Sequence, residues 1–136
     1  MYESVNWLAV VVAGAINIGI NALWYGPVFG KQWMAMMGFT PDSMKSMKLT
    51  PMQAMAGGAV TSLLMAFVLS QFAMMLGTMG AAGAVKLAFW VWLGFVATVQ
   101  AGAFLWENRS LKLFLFNAAA SLITFIAMAL VVVLWK

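Results

Sequence analysis

Residues 113–135 read Leu-Phe-Leu-Phe-Asn-Ala-Ala-Ala-Ser-Leu-Ile-Thr-Phe-Ile-Ala-Met-Ala-Leu-Val-Val-Val-Leu-Trp. No residue in this run is charged, and at about 1.5 Å per residue a helix of this length crosses the roughly 30 Å hydrocarbon core of a bilayer. A helix on the surface of a soluble protein needs a polar face, which this run lacks. The run therefore reads as a transmembrane helix, spanning about 111–135.

Working outward, the polar turn Glu107-Asn108-Arg109-Ser110 separates this span from another at about 84–106. Gly77-Thr78-Met79-Gly80-Ala81-Ala82-Gly83 separates that one from a span at about 52–76, and so short a connection makes these two antiparallel neighbours. The first span, about 5–25, stops at Tyr25-Gly26-Pro27, because proline supplies no amide and disfavours helix in the residue before it. Over 28–39, Phe29, Trp33, Met36 and Met37 fall on one helical face and Lys31 and Gln32 off it, the pattern of a helix lying in the membrane interface. In the polar loop 40–50, Thr40-Pro41 reads as an N-cap with a first-turn proline, and Thr50 with Gln53 reads as a capping box opening the second span. The fold class is an all-α membrane protein: an antiparallel bundle of four transmembrane helices with a short interfacial amphipathic helix after the first, in one domain over 1–136.

Composition agrees, since 65% of the 136 residues are hydrophobic and only 7% charged, more apolar surface than a soluble fold could cover. The absence of Cys and His removes disulfides, thiolate nucleophiles, the commonest metal ligands and the usual neutral-pH proton shuttle. No phosphate-binding glycine loop and no serine with a base beside it stands in the chain, so no catalytic residue, cofactor or metal is assigned. The thirteen methionines are unclustered and read as adaptable packing. A formal charge of +4 could suggest nucleic acid, but the cations stand singly beside apolar runs and read as topology signals, with the lipid bilayer as partner. Lys31, Lys45, Lys48, Arg109 and Lys112 lie at two loops on one side, Lys86 and Lys136 on the other. That bias places both termini outside. Met1-Tyr2-Glu3-Ser4 has an acid where a secretory signal wants Lys or Arg, so the first span is expected to be retained.

Two kinds of constellation stand out. Ala54, Gly58, Ser62, Ala66 and Ser70 recur every fourth residue and offer a close-packing face, used either inside the bundle or between copies in a homo-oligomer; Ala15, Gly19 and Ala22 form a shorter strip. Asn6, Asn17, Asn21 and Trp24 lie on nearly one face of the first span, and amides in hydrocarbon need partners. They are expected to point inward and meet the third or fourth span, either as interhelical glue or as the lining of a solute or ligand cavity with Tyr25, Gln100, Asn117 and Ser121. Thr98, Thr124 and Gln71 are further partner candidates. Glu107 and Arg109 form a possible ion pair at the membrane edge, and Glu107 is the one attractive acid for a lipid-modifying activity.

At Asn6-Trp7, Leu23-Trp24-Tyr25-Gly26-Pro27-Val28-Phe29-Gly30-Lys31-Gln32-Trp33-Met34 and Trp106-Glu107-Asn108-Arg109-Ser110-Leu111-Lys112-Leu113-Phe114-Leu115-Phe116-Asn117, the chain resembles an uncharacterised, mostly bacterial family of small four-span integral membrane proteins, domain of unknown function 1761. Ala118-Ala119-Ala120-Ser121 departs from the bulkier positions associated with that family. The resemblance implies a fold and a bacterial cytoplasmic membrane location, and no activity. The function expected from the residues is an oligomeric pathway for a small solute or ion, or a membrane ligand-binding protein. The alternative is an accessory or structural subunit that binds another membrane protein or lipid and transports nothing.

Overall fold

The computed structural model describes residues 5–40, 43, 48–49 and 51–135. Four helices are long and apolar enough to cross a membrane: Trp7–Val28, Met52–Met75, Gly80–Trp106 and Leu111–Leu134. Within them and beside them the helical elements are α1 (Trp7–Leu23), α2 (Gly30–Met37), α3 (Pro51–Met75), α4 (Gly80–Val91), α5 (Thr98–Trp106) and α6 (Leu111–Leu134). No strand occurs among the described residues.

The helix ends follow from local chemistry. Asn6 caps α1 by accepting from the Ala9 amide at 3.1 Å, and Ser110 caps α6 by accepting from Leu113 at 3.1 Å. At the other end of the first span Pro27 has no amide to donate, so the backbone pairing slips by one residue. Phe29 N–H reaches back to Trp24 O at 3.0 Å, and Trp24–Val28 becomes a wide π-type turn with Gly26 at φ −113°, ψ −110°. The expected stop is thus a kink that redirects the chain into α2. A Cβ on Gly30 would stand 2.9 Å from Tyr25 O, so this redirection needs glycine. α2 closes on Gly38 at φ 74°, with Phe39 N–H bonded to Met34 O and Gly38 N–H to Ala35 O, a Schellman end. Thr40 and Ser43 bond reciprocally through hydroxyl and amide, while Pro41 and the brief helix expected after this cap lie outside the described residues. Thr50, on which the second capping box turns, lies outside the described residues.

Two features differ from the sequence reading. α3 ends on Gly77 at φ 62°, and α4 begins at Gly80, not Ala84. Only Leu76–Met79 is needed to turn, because Met79 is extended and Ala81 and Ala82 are strong helix formers. The third span also contains a second wide turn at Trp92–Ala97, where there is no proline to announce it.

α6 is the hub of the bundle, packing on α1, α3 and α4, while α1 and α3 pack on each other. Close approach is possible because Ala13, Ala66, Ala84, Ala88 and Ala129 are fully buried at these contacts, with Leu69 and Met128 filling the space between. The small-residue strip on α3 divides: Ser62, Ala66 and Ser70 are buried inside, whereas Ala54 is exposed and a Cβ added to Gly58 would meet nothing within 4 Å. Ala15, Gly19 and Ala22 face outward. α3 and α4, though joined by four residues, share little direct packing: α3 rests chiefly on α1 and then on α6, and α4 on α6. The exterior is apolar, with Val11, Leu64, Val99 and Leu115 among its exposed side chains, as a hydrocarbon solvent requires.

Candidate functional site

Polar side chains from all four spans pair within the bundle. Asn17, buried at 6% exposure, donates through Nδ2 to Ser62 Oγ on α3 at 2.7 Å. Asn21, one turn on, donates to Asn17 Oδ1 at 3.2 Å. The partner of Asn17 is therefore on the second span, not the third or fourth. One turn further, Tyr25 Oη donates to Asn117 Oδ1 on α6 at 2.7 Å. A turn along α6, Ser121 Oγ accepts from Trp92 Nε1 at 3.0 Å and lies 3.2 Å from Gln100 Oε1. Trp92 Nε1 also reaches Ala118 O at 3.0 Å. The structure thus brings Asn117 to Tyr25 and Ser121 to Gln100, and adds Trp92, which the sequence reading missed. An indole in mid-span must find an acceptor, and that was the available signal.

Other candidates stand apart. Asn6 Nδ2 donates to Trp135 O at 3.0 Å, tying the start of the first span to the end of the last. Thr98 and Thr124 bond within their own helices, to Gly94 O and Ser121 O. Glu107 and Arg109 are both exposed at their turn. Gln71 is buried, and both polar atoms of its amide lack a partner. Replacing Gln71 by leucine is therefore expected to raise stability by about 1 kcal/mol or more, since an unmet buried amide costs roughly 1–3 kcal/mol. Asn17→Leu is expected to lower it by about 1 kcal/mol, the worth of a bond between membrane helices. Thermal unfolding in detergent measures both; shifts of the same sign would refute this assignment of partners.

Around the Tyr25–Asn117 bond the rings interlock. Trp24 packs on Phe29 and Phe116 at centroid distances of 4.7 and 5.2 Å, Tyr25 on Trp33 at 5.4 Å, and Trp33 on Phe39 at 5.4 Å. These pairs, edge-to-face except for the tilted Trp24–Phe116, hold α2 against the ends of the first and last spans. Trp24 Nε1 is buried there without a conventional acceptor, against aromatic faces that are weak ones.

Between α3 and the Trp92–Ala97 turn a groove of about 460 Å³ opens sideways. Leu64, Val68 and Phe72 form one wall, Phe95 and Val96 the other, and Phe125 of α6 the floor. Thr61 also lines it, but its hydroxyl is bonded to Gly58 O at 3.0 Å.

No curated protein and no solved structure matches the chain. One family's sequence model, described as a protein of unknown function (DUF1761), matches residues 8–133. That match takes in all four spans but for the first residue of the first and the last residue of the fourth, together with the kinked Trp24–Val28 turn and the Glu107–Ser110 turn, and the chain belongs to this family of proteins of unknown function.

Proposed function

We propose that this integral membrane protein transports nothing and binds one hydrocarbon chain of a membrane lipid in the groove between α3 and the Trp92–Ala97 turn. The observation that carries this reading is the groove's wholly apolar wall, in which even the Thr61 hydroxyl is taken by its own helix. Its volume lies within the roughly 300–1,000 Å³ of ordinary ligand pockets. From Thr61 to Phe72 the α3 wall runs about 16 Å. An apolar groove of that length suits an extended hydrocarbon chain, which brings no polar group to be satisfied there. Wide turns inside helices also concentrate at functional sites.

A solute or ion pathway along the amides draws less support, because Asn17, Asn21, Tyr25, Asn117 and Ser121 direct hydrogen bonds at one another or at neighbouring helices. Phospholipid retained through detergent purification can be counted by native mass spectrometry. Val68→Trp and Val96→Trp fill the groove from opposite walls, and each is expected to reduce retained lipid several-fold while thermal unfolding stays unchanged or rises. Retention equal to the wild type in both variants refutes the reading.

A further inference from the structure

We infer that Lys86 and Trp90 form a binding site for the phosphate group of an anionic membrane lipid, on the side of the bundle that carries the Leu76–Met79 turn. Within the four spans, Lys86 is the one charged residue more than a turn from a span end; Lys112 is the second residue of its own. It stands six residues into α4, about 9 Å from the helix start, and it is exposed on the outer surface. A charge at that depth facing lipid is retained for a purpose or driven out by its desolvation cost.

No carboxylate among the described residues answers it. Among the described residues the one acid is Glu107, at the opposite end of the same span and about 30 Å along it. A lipid phosphate at the neighbouring headgroups can supply the counter-charge. Trp90 lies one turn on, on the same face, and is 65% exposed. In a helix the Cα–Cβ bonds tilt toward the N-terminus, so both side chains lean toward the Gly80 end and the nearest headgroups. A lysine stem can lie along apolar surface and carry its ammonium outward, and the Trp90 indole, rooted about 6 Å further from the helix start, offers a hydrogen-bond donor on the same face. Ammonium and indole N–H together suit a phosphate oxygen. A headgroup with its own ammonium competes with Lys86 for that oxygen, whereas phosphatidylglycerol does not.

This inference is independent of the groove. It is tested on the full chain in mixed micelles by native mass spectrometry, comparing retention of phosphatidylglycerol with that of phosphatidylcholine. A several-fold preference for phosphatidylglycerol is expected, lost in Lys86→Gln, kept in Lys86→Arg and in the control Lys112→Gln, and weakened in Trp90→Phe. Val68→Trp should leave the preference intact, which separates failure here from failure of the groove. Excess inorganic phosphate should not displace the lipid. An equal preference in the wild type and Lys86→Gln would show a snorkelling anchor without selectivity and overturn the inference; displacement by inorganic phosphate would assign the site to a soluble anion and overturn it equally. Should Lys86→Gln fail to fold, the Trp90→Phe comparison decides, and no weakening there refutes the site.

Discussion

Replacing Met128 by alanine is expected to lower the unfolding free energy by about 2–4 kcal/mol, the usual cost of truncating a large core side chain. Met128 is 0% exposed on α6, the helix against which all the other spans pack or lean, and it belongs to the same buried cluster as Ala13, Ala66, Ala84 and Ala129. Alanines cannot move in to fill the space left behind, because their helices are already as close as methyl groups allow. Lipid cannot enter from outside without parting those helices. Met128→Leu, which nearly conserves volume, should cost less than about 1.5 kcal/mol. Unfolding in detergent micelles reads both, and a Met128→Ala loss below about 0.5 kcal/mol would show that the core relaxes in a way close packing does not predict.

Gly14→Leu should be similarly damaging, by about 1–3 kcal/mol from overpacking. At Gly14, α1 and α3 approach so nearly that a Cβ would meet Leu63 Cδ2 at 3.0 Å and Leu63 Cα at 3.5 Å. A single methyl needs Leu63 to shift by a few tenths of an ångström, and alanine returns roughly 0.5–1 kcal/mol by restricting the unfolded backbone, so Gly14→Ala should be close to neutral. A leucine instead collides with the α3 backbone. The helices must part, and the Asn17–Ser62 bond, one turn further along, is stretched with them. The diagnostic is a double-mutant cycle: in a Gly14→Leu background, Ser62→Ala should cost measurably less than in the wild type. Equal costs in both backgrounds would mean that the helices have not separated there.

The four spans and most of their ends were legible in the chain itself, because the properties that make them are local. Hydrocarbon demands some twenty consecutive apolar residues, and that demand is met or failed by a stretch such as 113–135 without reference to the rest. Pro27, Gly38 and Gly77 act on their own backbone neighbours, so the kink and two helix ends follow from their types. The same holds for Asn6 and Ser110 as caps.

Partnership was not local. The sequence shows that Asn17 needs a hydrogen bond, but which helix supplies it depends on how α1 lies on α3, and that is set by Gly14 against Leu63 and by the buried alanines. The strip on α3 announced a close-packing face, yet only the tertiary arrangement places Ser62, Ala66 and Ser70 inside and leaves Ala54 and Gly58 uncovered. The wide turn at Trp92–Ala97 has no proline to mark it. The groove is the clearest case: Leu64, Val68, Phe72, Phe95 and Phe125 are ordinary span residues one by one. They enclose space because α3 packs on α1 and α6, and α4 on α6, rather than α3 and α4, four residues apart in the chain, on each other. Apolarity over twenty residues is enough to put a helix in a membrane, but contacts between helices are a competition among all their faces, and only the folded bundle records its outcome.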